Sequence, residues 1–217
     1  MAGERGGTAM ERADFAQTLA TLKRDGSNIL LVGRETAGAH TDLCHRLHGE
    51  SADGPRYRLL VTDGREPTTE PSDGTAGRIG RTIDYSALEP TATDGAESGP
   101  APLGTLGIEI VDAIDTFQGD ADGLEPSQVR VCVDSLVPLL EEHTAEKVFR
   151  LLHMTTSRVD NVQGMGHYHL PLERDHEAVH LLEPLFDAVV EIRARDGASE
   201  QRWELRDRGT STDWLPV

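Results

Sequence analysis

The run NILLVGRETAGAHTDLCHRL, residues 28–47, places an apolar stretch, Gly33, four further residues, Gly38 and then a helical pattern in succession. This is the layout of a phosphate-binding loop. There, backbone N–H groups and a helix N-terminus surround phosphate oxygens, a lysine bridges the terminal phosphates and a hydroxyl holds Mg²⁺. Here the lysine position is Ala39, the next position is His40, and Thr41 comes one place late for the metal. Glu35 adds a negative charge inside the loop, with Arg34 beside it to offset it. Glycine spacing of this kind also describes a plain strand-to-helix turn.

A second run, VRVCVDSLVPLLE at residues 129–141, ends an apolar stretch on Asp134. At the carboxyl end of a parallel sheet, a carboxylate there would face the Mg²⁺ of a bound nucleotide. The candidate nucleotide residues are therefore Gly33, Gly38, Thr41 and Asp134. Loss of one charge-assisted phosphate contact costs about 1.5–3 kcal/mol of binding, and loss of a preorganised transition-state contact costs about 10²–10³ in rate. The expected ligand is ATP or ADP with Mg²⁺, held weakly at most, and no residue is assigned a catalytic role.

Histidines supply a rival chemistry. His167 and His169, two apart on a predicted strand, face the same way, and His176 and His180, four apart on a predicted helix, share its face. Four imidazoles with Glu173 or Asp175 nearby would suit Zn²⁺ if the two faces met. Nothing in the spacing forces them to meet, so His167 and His169 are read as sheet residues bonded to neighbouring carbonyls and His176 as a helix start. No metal site is assigned. His40, His45 and His48 read as a solvated helix face. Cys44 and Cys132, distant in sequence and in apolar segments, read as reduced core fillers rather than a disulfide or a metal knuckle. There is no GxSxG elbow, and Ser135 belongs to a strand-to-helix turn.

The elements that must hold these residues alternate. Phe15, Leu19 and Leu22 lie at helical spacing, and Gly26 precedes a buried strand at 28–32. A helix from Thr41 turns Leu43, Cys44 and Leu47 inward, and a strand follows at 57–62. Residues 81–85 form a short strand between two polar tracts, 63–80 and 89–102, which read as surface loops. Then come a helix with Leu106, Ile110, Ile114 and Phe117 on one face, a strand at 129–134, and a helix capped by Thr144 with Val148, Leu151, Leu152 and Val159 inward. A strand at 165–170 and a helix capped by Asp175 precede a terminal hairpin that turns at Asp196-Gly197. Strands interleaved with helices predict a mainly parallel α/β sheet flanked by helices and ended by an antiparallel hairpin. Residues 1–10 are expected to be disordered and 11–217 to form a single domain.

Charge narrows the setting. The 217 residues carry a net charge of −17, with 38 acidic residues against 21 basic ones, of which only Lys23 and Lys147 are lysines. Dispersed carboxylates keep a surface hydrated where molar salt screens charge beyond roughly 3 Å, so a haloarchaeal cytoplasm is the expected setting. Such a field repels phosphate backbones and disfavours direct nucleic-acid binding. No apolar stretch has the length of a signal peptide or membrane span, so a cytoplasmic location off the membrane is expected.

The loop, the Asp134 strand and the tail GHYHLPLERDHEAVHLLEPLFDAVVEIR at 166–193 together resemble haloarchaeal relatives of the KaiC- and Rad55-type RecA-superfamily ATPases, a group described as implicated in signal transduction. The resemblance runs from residue 28 to the C-terminus. It implies a RecA-like core with Gly33, Gly38 and Asp134 at the two nucleotide motifs. The chain departs from the active pattern at Ala39 and His40. It departs again at Thr62-Asp63-Gly64, where KaiC-like enzymes carry paired catalytic glutamates. The expectation is an inactivated ATPase serving as a regulatory or scaffold protein, with a protein partner and possible homo-oligomers. The alternative is a divergent ATPase using Arg34 or a lysine from another subunit.

Overall fold

The chain is described by a computed structural model, for residues 9–34, 38–48, 56–64, 78–88, 103–121, 123–206 and 209–217. The expected tail at 1–10 falls outside these residues except for Ala9 and Met10, which already belong to helix α1 (Ala9–Asp25). Of the two polar tracts, 65–77 and 89–102 also fall outside them.

Six strands run parallel: β1 (Ser27–Val32), β2 (Arg56–Thr62), β3 (Arg78–Asp84), β4 (Val129–Val133), β5 (Met165–Leu170) and β6 (Ala188–Arg195). β7 (Ala198–Leu205) returns antiparallel to β6 through a turn at Asp196 and Gly197. Short β8 (Thr210–Ser211) and β9 (Leu215–Pro216) pair with β7. The spatial order is β3-β2-β4-β5-β1-β6-β7-β8, so β1 lies centrally with β5 on one side and β6 on the other. This is the expected RecA-like α/β architecture with its antiparallel end.

Strand alternation sorts the two faces. Leu30 and Val32, Val131 and Val133, Tyr168 and Leu170 join the core beneath α3 (Leu103–Asp120) and α5 (Ala145–Asn161). Ile29, Leu31, Met165 and Val190 face the other way, against Ala39 and Leu43 of α2 (Ala39–Leu47) and Leu19 and Leu22 of α1. The apolar stripe of α3 explains its place, since seven of its residues are buried at helical spacing. A short helix, α4 (Val137–Glu142), follows β4 before α5.

Two expected boundaries shift. β3 begins at Arg78, three residues earlier than alternation shows. The helix α6 (Glu177–Leu182) is capped by His176, whose Nδ1 accepts from Ala178 N at 3.1 Å, and not by Asp175. Thr144 stands at the N-cap of α5 but contributes no side-chain capping bond.

Where β1 begins, Asn28 ties this strand to α5, to β5 and to the residue before β6. Its side chain donates to Asp160 Oδ1 of α5 at 2.7 Å and accepts from Tyr168 Oη of β5 at 2.9 Å, and its N–H donates to Asp187 Oδ2 at 2.7 Å. Burial and the Asp187 charge push the Asp160 carboxyl up to about 6 from 3.8, against the pull of the Asn28 amide. The folded state therefore holds a proton that the unfolded chain releases, and this group's contribution to stability falls as pH rises from about 4 to about 6. Asp160→Asn should remove that loss, so the stability difference between variant and wild type should widen in the variant's favour across this window. Parallel denaturation profiles at pH 4 and 6 would show that Asp160 does not titrate there.

Candidate functional site

The functional question converges on α2, the helix that follows the glycine loop. Its three turns are held to the sheet by polar contacts at three levels. At the C-terminal end, Arg58 of β2 donates to His48 O and Arg130 of β4 to Leu47 O, each at 3.0 Å. These cations satisfy carbonyls that a helix end leaves unbonded and complement its negative pole. Burial, with Arg56 and Arg58 nearby, lowers Arg130 to about 10, so it stays charged at neutral pH.

At the N-terminal end, Gly33 closes β1 with φ at 105° and its N–H bonded to Leu172 O at 2.7 Å. A Cβ there would collide with the carbonyl of Ile192 on β6. Gly38 caps α2 in the left-handed region, φ 81°, which a residue with a Cβ adopts only at a cost. Residues 35–37, including Glu35, lie outside the described residues. Thr41 is half-buried on the first turn of α2. Asp134 is the residue after β4, largely buried, with its N–H bonded to Val61 O at 2.9 Å.

His40 lies on the first turn of α2. Its side chain is 1% exposed and turns inward, with Nε2 2.9 Å from Gly33 O and Nδ1 3.2 Å from His169 Nδ1. Burial first, then His169, lowers His40 to about 4, so it is neutral at pH 7. A carbonyl only accepts, so Nε2 carries the proton and Nδ1 presents a lone pair. His169 must then donate from Nδ1. The expected solvated face of His40, His45 and His48 is corrected here: His40 and His48 are buried, because α2 lies flat on the sheet and turns both toward β5.

Ala39 occupies the lysine position and packs into the apolar cluster with Ile29 and Leu43. Arg34 is paired with Glu173 at 2.8 Å. Lys147 is exposed on α5, which packs on the opposite face of the sheet from α2, and Lys23 lies in the last turn of α1. Past β2, Thr62 is buried and Asp63 and Gly64 follow, with no glutamate pair.

The middle level brings together residues that sequence order scatters. His167 and His169 project from β5 toward α2, but they bond to side chains and not to carbonyls, which corrects the expectation. His167 Nε2 lies 3.2 Å from Cys44 Sγ, and Cys44 Sγ lies 3.3 Å from Cys132 Sγ. Ligand atoms of Cys44, Cys132, His167 and His169 all lie within 4.8 Å of one another, and all four residues are buried. Both cysteines are free and buried in an apolar cluster with Leu60, as expected, and their sulfurs in addition bond to each other and to His167. His176 and His180 stay away from this set, at the start of α6 and on its exposed side. Burial lowers His167 to about 4. Burial and Cys44 push Cys132 well above the ordinary thiol value, while the bond from Cys132 and the nearby His167 hold Cys44 well below it.

The sequence signal for this cluster was partial. The same-face pair His167 and His169 was visible, but the pairing of β4 with β5, which sets Cys132 beside His167, appears only in the sheet order.

The chain belongs to the family described as "Family of unknown function (DUF7504)", which matches residues 26–192. No curated protein matches it by sequence. Among solved structures it is similar to a KaiC-like protein from the hyperthermophilic archaeon Pyrococcus horikoshii OT3, with a TM-score of 0.50 and 12% identity. That similarity covers 84% of this chain and 80% of the other. At this identity the likeness speaks for the fold, a KaiC-like RecA fold.

Proposed function

We propose that this member of a RecA-like family is a non-catalytic regulatory or scaffold protein, in which a former phosphate loop serves as packing architecture. The carrying observation is His40, which occupies the hydroxyl position with its ring spent on Gly33 O and His169. Ala39 in the lysine position and the absence of a glutamate pair after β2 support the same reading. The rival, an ATPase rescued by Arg34, requires that side chain to leave its exposed ion pair with Glu173, at a cost of about 1 kcal/mol or less. A role in signal transduction and self-association follow from the KaiC resemblance, a single domain over 11–217 follows from chain length, and all three are part of this proposal. A protein partner would find apolar side chains at Ile108 on α3 and Met154 on α5, both exposed. No helix among the described residues is long and apolar enough to cross a membrane.

The acidic, lysine-poor composition supports a high-salt cytoplasm, and a melting temperature that falls as KCl drops from molar to millimolar is the check on that setting. Function is tested by calorimetric titration of ATP and ADP at molar KCl with Mg²⁺. The expected dissociation constant is about millimolar or weaker, near 4 kcal/mol of binding, and it does not change in Asp134→Ala. Micromolar binding that needs both Mg²⁺ and Asp134 would overturn the reading and restore Gly33, Gly38, Thr41 and Asp134 as a working nucleotide site.

A further inference from the structure

We propose that Cys44, Cys132, His167 and His169 form a closed, four-coordinate Zn²⁺ site that staples α2 to β4 and β5. The donor set is two sulfurs and two imidazoles, the composition of many structural zinc centres. Tetrahedral Zn²⁺ with Zn–S near 2.3 Å and Zn–N near 2.0–2.1 Å separates its ligand atoms by roughly 3.3–3.8 Å. Cys44 Sγ already stands 3.3 Å from Cys132 Sγ and 3.2 Å from His167 Nε2, and the whole set spans no more than 4.8 Å. Closing around an ion therefore needs side-chain adjustment and no movement of the sheet.

A second observation points to a ligand. His169 is 2% exposed, and its Nε2 makes no hydrogen bond. With His169 Nδ1 engaged by His40, Nε2 is the ring atom that faces the cluster. A buried polar atom without a partner is unfavourable, and a metal ion at this position would satisfy it. Zinc binding displaces the thiol protons of Cys44 and Cys132 to solvent, and the imidazoles coordinate as neutral ligands. The dication and two thiolates then sum to zero charge, which the apolar surroundings of Ile29, Leu31 and Leu60 tolerate.

The site also gives His40 a purpose. Ligating histidines commonly donate their second ring N–H to an orienting group, and the path from His169 Nδ1 to His40 Nδ1, then from His40 Nε2 to Gly33 O, is such a support. His40 is a positioning residue. All four ligands come from protein and all are buried, leaving no open coordination position, so the role is structural and not hydrolytic.

The test uses the full chain, purified under reducing conditions, freed of metal and titrated with Zn²⁺ or Co²⁺ at molar KCl. We expect one ion per chain and a Co²⁺ spectrum with thiolate charge-transfer and strong tetrahedral bands. His40→Gln should weaken affinity about 10–100-fold and keep the shape of the spectrum. Cys132→Ser should abolish the sulfur band or reduce it by half. If that variant fails to fold, the wild-type titration decides alone. A folded chain that takes up no stoichiometric ion, a Co²⁺ complex without sulfur charge transfer, or a Co²⁺ spectrum that Cys132→Ser leaves unchanged would overturn the proposal.

Discussion

Gly33→Ala should lower stability by on the order of 3 kcal/mol or more, the largest effect expected from any single methyl group in the loop. Two causes add. The backbone at Gly33 has φ 105°, a region closed to residues with a Cβ, and an added Cβ would drive into the Ile192 carbonyl while lying 2.9 Å from the Ile192 carbonyl carbon. Ile192 is on β6, the strand beside β1, so neither backbone can yield without breaking the centre of the sheet. Gly38→Ala is the control. Its φ of 81° is strained for alanine, but no heavy atom lies within 4 Å of the added Cβ, so the cost is about 1–2 kcal/mol. For a chain of this size the two variants should differ in melting temperature by several degrees, at about 2–4 °C per kcal/mol. Equal shifts would mean that Gly33 is not required by strand packing. The predicted inequality has a functional meaning: the first glycine of the loop is explained by its approach to β6, with no phosphate needed.

The second large effect is expected from rebuilding the loop. On an intact phosphate cradle, Ala39→Lys with His40→Thr would restore a charge-assisted contact of about 1.5–3 kcal/mol, tenfold or more in affinity. The structure predicts a different result. Ala39 is 1% exposed and packs against the sheet, so a lysine there must leave the core or bury its charge. Threonine is too short to replace both bonds of His40, which strands Gly33 O and His169 Nδ1 at about 1–3 kcal/mol each. The double variant should therefore lose on the order of 3 kcal/mol of stability and gain less than tenfold in ATP affinity. A gain of tenfold or more with little loss of stability would show that the cradle persists and that only its cation was missing.

Much of this architecture was legible before any coordinates. The apolar runs at β1, β4 and β5 and the alternation of Val190 and Ile192 mark strands, and the stripes of α3 and α5 mark the helices that cover them, because burial on a two-sided parallel sheet demands those periods. The departures of Ala39 and His40 from the resembled motif are equally plain. The destination of the His40 ring was not. Helical spacing says which residues share a face and cannot say whether that face meets water or a sheet, so His40 and His48 read as solvated. The cluster of Cys44, Cys132, His167 and His169 stayed hidden for a related reason. Its members come from one helix and two strands up to 125 positions apart, as the numbers of Cys44 and His169 show. They become neighbours through the order β4-β5-β1, which local pattern does not encode. His176 and His180, by contrast, looked like partners of His167 and His169 in sequence and point elsewhere because α6 packs on the other side, with Val179 and Leu182 in the core beneath α3 and α5.

Under the proposed function, the α2 N-terminus serves side-chain packing around His40 in place of nucleotide chemistry. Hydrolysis of ATP by the wild-type chain, at molar KCl with Mg²⁺, bears on it most directly when run beside Asp134→Ala. The account predicts that both proteins release phosphate at the rate of buffer alone. Turnover by the wild type that disappears in Asp134→Ala would contradict it.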